Sequence, residues 1–279
     1  MISIFGGTGY IGSNFCKVLD EAGGQYEVIP RDQLKANSDH IVYLISTTDN
    51  YNVLDAPTKD IETNLLHMVK VLGENKSCKS ITFISSWFVY GDAVLPAKES
   101  SRCDPKGFYS ITKKCAEDLL MSFCRTYGIK YKIVRLANVY GRYATNDNFS
   151  KKKNALQYLI NELKHNRPIS LYHNGRFVRD YIHIYDACVG VSHVIDHGLD
   201  NEIYNLGSGR AIIFKDIIDE AVMHTKSTSV ISAIEPPDFH KLVQVKDMFL
   251  DCSKIQALGF KCSIPISAGI KELCEDHND

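Results

Sequence analysis

Ile2-Ser3-Ile4-Phe5-Gly6-Gly7-Thr8-Gly9-Tyr10-Ile11-Gly12 decides the fold class of this chain. Four strand-forming residues run straight into a glycine-rich turn, and Asn14 to Leu19 then reads as a helix. The spacing is G-G-x-G-x-x-G. Glycines at these places permit a tight turn and let a pyrophosphate approach backbone N–H groups at the start of the helix. The candidate cofactor-binding residues are therefore Gly6, Gly9, Tyr10, Ile11 and Gly12. Taken alone, the same turn also describes an ordinary strand–helix junction.

Working outward, strands and helices alternate. Ile41-Val42-Tyr43-Leu44-Ile45 and Ile81-Thr82-Phe83-Ile84-Ser85-Ser86 read as buried strands, and Lys132 to Leu136 as another. Asp60 to Glu74 reads as a helix with Ile61, Leu65, Met68, Val69 and Leu72 on one side, and Thr112 to Tyr127 as the continuation of a helix that carries Tyr109. This predicts an α/β fold: a doubly wound, Rossmann-like parallel sheet. From about Tyr143 the pattern is less regular, with a helix over Ala155 to Lys164 and a loop at Pro236-Pro237. The expected layout is a dinucleotide-binding domain over 1–142, with a return segment near 178–195, and a smaller C-terminal α/β substrate lobe over 143–279.

Composition narrows the class. The 279 residues are 44% hydrophobic with formal net charge −1, so nothing points to a nucleic-acid or membrane surface. No apolar run approaches spanning length, and the chain opens directly on a strand, without a signal peptide. Nine cysteines lack a C-x-x-C and read as reduced thiols in cytoplasm; no His/Cys group has metal spacing. Lys151-Lys152-Lys153 reads as a solvated face, or as a group that helps neutralise a phosphate.

The chemistry lies in Tyr109-Ser110-Ile111-Thr112-Lys113. A phenol with pKa about 10 is a poor base at neutral pH. Lys113, one helical turn on, shares a face with Tyr109, and its ammonium favours phenolate. The positive nicotinamide of an oxidised cofactor acts the same way. Each pKa unit corresponds to about 1.4 kcal/mol, so a few units would bring the phenol near the operating pH. The strand that ends in Ser85-Ser86 places a hydroxyl where α/β sheets bind ligands. Y-x-x-x-K by itself also fits a half-buried Tyr beside a solvated Lys, and a strand-end Ser also caps turns.

With these motifs in order, the chain resembles the extended short-chain dehydrogenase/reductase family, in its NAD-dependent nucleotide-sugar epimerase/dehydratase branch. Ser86-Trp87-Phe88-Val89-Tyr90-Gly91 is similar to the S/T-x-x-V-Y-G segment, which makes Ser86 the catalytic hydroxyl beside Tyr109 and Lys113. Arg135-Leu136-Ala137-Asn138-Val139-Tyr140-Gly141 resembles R-x-x-N-V-Y-G, and Val178-Arg179-Asp180-Tyr181-Ile182-His183 resembles the R-D-Y-I-H segment. The resemblance implies that Ser86, Asn138, Arg179 and Tyr181 meet a nucleotide-diphosphate sugar, with Asn138 and Arg179 at the diphosphate. Arg suits that group because its planar guanidinium bonds bidentately, although Arg179 could also pair with Asp180. Tyr204 to Gly209 and Leu250 to Phe260 resemble the later segments. Homodimers through the helix that carries Tyr109 are common in the family; Leu119, Leu120, Met121 and Phe123 fit such a seam or a core.

Three departures sharpen the expectation. Between Val28-Ile29-Pro30-Arg31-Asp32 and Ile41 there is no room for the family's usual extra helix and strand, which predicts a trimmed sheet edge. Arg31 favours NADP through its 2′-phosphate, whereas Asp32 favours NAD through the 2′-hydroxyl, so the cofactor is NAD or NADP. After Ser86 the family's dehydratases carry Asp-Glu and its fucose-forming epimerase/reductases a Cys; Trp87-Phe88 disfavours both reactions. Asn146 to Phe149 faintly resembles a loop of the fucose-forming group. The implied function is carbohydrate biosynthesis, by C4 epimerisation through a transient 4-keto sugar. The alternatives are an NADPH-dependent reductase of a nucleotide 4-keto-6-deoxy sugar and a catalytically silent Rossmann sensor or scaffold.

Overall fold

The computed structural model describes residues 1–48, 50–142 and 154–275. Five strands come early: β1 (Ile2–Phe5), β2 (Tyr26–Ile29), β3 (His40–Tyr43), β4 (Ser80–Ser86) and β5 (Lys130–Leu136). Short strands β6 (Asn138–Tyr140), β7 (Ile169–Tyr172), β8 (Val178–Arg179) and β9 (Tyr181–His183) precede β10 (Glu202–Leu206), and β11 (Ile212–Ile213) and β12 (Ile231–Ile234) follow it. The main sheet has the order β10-β5-β4-β3-β1-β2, and every neighbouring pair is parallel. β2 lies on one side of β1 and β3 on the other. The order of travel thus reverses at the carboxyl end of β1, where open α/β sheets bind ligands.

The sheet is buried on both faces because apolar side chains alternate along each strand. Ile4, Val42, Ile84 and Val134 point to one face, where α1 (Tyr10–Glu21) and a later helix pack. Phe5, Tyr43, Phe83 and Ile133 point to the other, against the helices that follow β3 and β4. The expected short edge is present: residues 30–39 contain neither helix nor strand, and β2 ends the sheet. Buried Asn75 closes this connection by accepting from Ala36 N–H at 2.9 Å and donating to the Leu34 carbonyl at 2.8 Å.

The predicted single helix over 60–74 is interrupted. Beyond α2 (Asn52–Asp55) come α3 (Thr58–Asp60), a wide π turn at Ile61–Leu66, and α4 (His67–Glu74). The π turn puts buried Asn64 against Thr47 and Thr112, and its amide donates to both hydroxyls at 2.8 and 2.9 Å. The extra residue in the turn shifts the helical phase. Met68 and Leu72 face the core, whereas Ile61 and Val69 face out.

The next helix, α5 (Phe108–Tyr127), carries Tyr109 and runs on to Tyr127 as expected, and α6 (Ala155–Lys164) coincides with its prediction. The return to the main sheet runs through α7 (Ile184–His197), which overlaps the expected segment 178–195, and on to β10, where Tyr204 and Leu206 complete the first core, while β8 and β9 pair outside the main sheet. A third core joins β7 and β9 to α6, α8 (Phe214–Thr225) and α11 (Ile266–Cys274). Two short helices, α9 (Asp238–Val243) and α10 (Ser253–Ala257), lie between α8 and α11.

Candidate active site

The glycine turn is shaped by close approach. Gly6 has φ +85°, and a Cβ on Gly12 would lie 2.2 Å from the Gly6 carbonyl oxygen and 2.7 Å from Gly7 Cα. α1 starts at Tyr10 without a capping side chain and without an acid in its first turn. Its leading N–H groups are therefore available to an anion, and the residues fit a dinucleotide phosphate. The Tyr10 hydroxyl donates to the Gly141 carbonyl at 2.8 Å, tying this turn to the end of β6. Ile11 packs against the first core. Arg31 and Asp32 are both exposed just beyond β2.

Ser86 closes β4, and its hydroxyl accepts the Phe88 N–H at 3.3 Å. Ser85 projects the other way and donates to Glu117 at 2.5 Å. Tyr109 sits in the first turn of α5, with its ring edge-on to Phe88 at 5.8 Å. Lys113 is only 2% exposed; Nζ donates to the Ile84 carbonyl at 2.6 Å and lies 4.1 Å from the Phe83 ring centre. Burial pulls its ammonium down to about 7, and the Glu117 carboxylate opposes that pull. Ser86, Tyr109 and Lys113 thus converge on one strand end.

Arg179 approaches the same region. Its guanidinium lies 5.4 Å from the Trp87 ring and 4.9 Å from Phe177, and donates to the carbonyls of Val178, Val245 and Lys246. No ion pair with Asp180 forms: that carboxylate accepts from the Ser208 hydroxyl and from the N–H groups of Ser208, Gly209 and Leu250, and burial raises its pKa to about 6. Asn138 spends its Nδ2 on the Asp180 carbonyl at 3.0 Å. Tyr181 lies in the third core, edge-on to Tyr140 at 6.0 Å.

The sequence reading missed a buried pair behind this centre, Glu117 and Arg135, 2.7 Å apart. Its signal was the acid four residues after Lys113 on the same helical stripe. Lys151 to Lys153 and Asn146 to Phe149 lie outside the described residues. Among the described residues no cluster of His, Cys, Asp or Glu could hold a metal ion, and no helix is long and apolar enough to cross a membrane.

The sequence model of the NAD dependent epimerase/dehydratase family matches residues 32–207. The chain belongs to this family. It is 25% identical over 306 aligned positions to a Methanocaldococcus jannaschii protein named "Putative UDP-glucose 4-epimerase", covering 98% of this chain and 97% of that one. A Mycobacterium tuberculosis dTDP-glucose 4,6-dehydratase is 31% identical over 181 positions, 63% of this chain and 53% of the relative. An Escherichia coli dTDP-4-dehydro-6-deoxyglucose reductase is 25% identical over 253 positions, 89% and 76% of the two chains. The solved Thermus thermophilus UDP-glucose 4-epimerase in complex with NAD superimposes with a TM-score of 0.85 at 20% identity, covering 98% and 97%. This epimerase/dehydratase-family member therefore has the fold of its solved relatives over nearly its whole length.

Proposed function

We propose that this enzyme modifies the sugar of a nucleotide-diphosphate sugar, most simply as an NAD-dependent C4 epimerase with Tyr109 as its acid/base. The observation that carries the reading is the convergence of Ser86, Tyr109 and Lys113 on the end of β4. Tyr109 takes the proton from the C4 hydroxyl and later returns it, while Ser86 holds the same oxygen by hydrogen bonding. Lys113 supplies positive charge that favours the phenolate. The glycine turn and Arg31/Asp32 would hold the dinucleotide. A nicotinamide dinucleotide held by them would supply the hydride-accepting and hydride-returning chemistry at C4. Arg179, hydrogen-bonded to carbonyls with the Asp247 carboxylate nearby, suits the substrate diphosphate. Asn138 and Tyr181, opposite each other on β6 and β9, would be the further substrate contacts.

The relationship to the E. coli reductase favours a second reading: hydride delivery from NADPH to a 4-keto-6-deoxy sugar, with Tyr109 donating the proton. Trp87 and Phe88 follow Ser86 and cannot move protons, which argues against water elimination. Mass spectrometry of ligand released from the purified protein separates the two readings. Copurified NAD and turnover of nucleotide hexoses without added cofactor support the epimerase; a need for added NADPH and a 4-keto substrate supports the reductase. Tyr109→Phe should cost at least about a hundred-fold in turnover in either case. If all measured function survives that change, the protein is a sensor or scaffold.

We also propose a homodimer. Ile111, Cys115 and Leu119 recur every four residues along α5, and Ile111 and Leu119 are 47% and 39% exposed. Ile61, Leu66 and Val69 continue the apolar surface across the neighbouring helical segment. Leu120 belongs to the core instead. Nine free cysteines suit a reducing compartment, and we place the enzyme in cytoplasm.

A further inference from the structure

Glu117 is 0% exposed and lies on α5 one turn beyond Lys113 and two beyond Tyr109. Its Oε1 accepts from the Ser85 hydroxyl at 2.5 Å and from Arg135 Nε at 3.0 Å, and its Oε2 from Arg135 Nη2 at 2.7 Å. Arg135 stands on β5 opposite Ser85 in the strand register, and its guanidinium lies 4.7 Å from the Tyr90 ring. Buried Arg–Glu pairs pay heavily for desolvation and often add no net stability over an apolar pair. Stability alone is thus a weak reason for this one.

The neighbours of the pair suggest a better reason. Glu117 holds the side chain of Ser85, and the next residue is Ser86. The residue before Ser85 presents its carbonyl to Lys113. From β4, Lys113 also meets the Phe83 ring; from its own helix it shares a stripe with Tyr109 and Glu117. α4 brings Met68, Val71 and Leu72 to this core and half-buried His67 against Tyr43, the π turn brings neutral Asn64, linked through Thr47 to buried Asp60, and β5 brings Arg135 behind Glu117. Glu117 is therefore the acid that offsets the burial of the Lys113 ammonium.

We propose that Glu117, gripped by Arg135, is a positioning residue for the active centre: it locks the Ser85–Ser86 strand end and supplies negative charge that favours the ammonium form of Lys113 against its burial. This rests on the acid/base reading of Tyr109. Replacing both charges together, as Glu117→Gln/Arg135→Met, avoids leaving the Arg135 guanidinium buried without its acid. The double variant should melt cooperatively. Without the carboxylate Lys113 loses its proton more easily, and a neutral Lys113 no longer favours phenolate. The ionisation of Tyr109, read as the phenolate absorbance that Tyr109→Phe abolishes, should then move to higher pH by about one unit, and kcat/KM at neutral pH should fall about ten-fold. Ser85→Ala leaves both charges in place and tests the strand lock separately; it should lower kcat several-fold without moving the Tyr109 ionisation. A folded double variant with wild-type rate and Tyr109 ionisation, or Ser85→Ala with wild-type kcat, overturns the corresponding half of the proposal. If the wild type and Tyr109→Phe behave alike with every nucleotide sugar, the acid/base reading itself has failed.

Discussion

Lys113 shows how one residue sets function against stability. Burial brings its folded-state pKa down to about 7, against 10.5 ordinarily. Between those values the unfolded chain binds a proton that the folded chain does not, so stability rises with pH across that window. Below about pH 7 both states are charged, and the fold carries the full burial penalty. Lys113→Met should therefore be more stable than wild type at about pH 6, by on the order of a few kcal/mol, and should lack the rise toward about pH 9. Urea midpoints at the two pH values check this, and an unchanged pH slope would refute it. Arg179 yields a second expectation. If its guanidinium binds the diphosphate, Arg179→Lys should raise KM about ten-fold or more and leave the cofactor content unchanged, because an ammonium cannot replace a planar two-donor contact. At this scale the placement of Tyr109 and Lys113 one turn apart on a single helix was legible from their four-residue spacing. Glu117 was not, because an acid four residues after a lysine on a helix most often marks a solvated pair; only the fold reveals that it is buried. Choosing Ser86 over Ser85 took the family pattern, and the structure shows Ser85 bonded to Glu117.

At the scale of elements, periodicity read the regular parts well and failed where polar anchors govern the backbone. β1 and α6 coincide with their predicted ranges because their apolar patterns meet a core directly. The helix after β3 did not, because the demand of Asn64 for Thr47 and Thr112 outweighs regular winding, and no apolar period reports that. The glycine turn is the element on which the cofactor proposal depends most. Its spacing was legible in the sequence; the reason that Gly12 cannot carry a side chain is geometric. An added methyl would meet the Gly6 carbonyl at 2.2 Å, and backbone must move to admit it. Gly12→Ala should weaken dinucleotide binding at least about ten-fold and cost roughly 1–3 kcal/mol of stability. Titration calorimetry with NAD and NADP, beside thermal melting, checks both effects. Normal affinity in the variant would place the dinucleotide elsewhere.

At the scale of the molecule, the trimmed edge followed from simple length, since residues 30–39 are too few for a helix and a strand. The place of β10 in the main sheet was out of reach, because nothing local in Glu202–Leu206 says which strand it will join; that choice is made by Tyr204 and Leu206 completing the first core. The apolar seam on α5 lay between these cases. The sequence offered Leu119 to Phe123 as one group, and burial separates outward Leu119 from inward Leu120. A seam that repeats every four residues on one helix and continues on its neighbour suits a two-fold partner, since a self-complementary patch closes at a dimer. Ile111→Glu/Leu119→Glu places two charges in that seam without touching the core. Sedimentation velocity should show a dimer for the wild type and a monomer for the variant. Because Tyr109 and Lys113 are carried by the same helix, loss of the partner should also loosen the start of α5 and lower turnover. A monomeric wild type would remove the dimer and leave the assigned active-site residues unchanged, since all of them come from one chain.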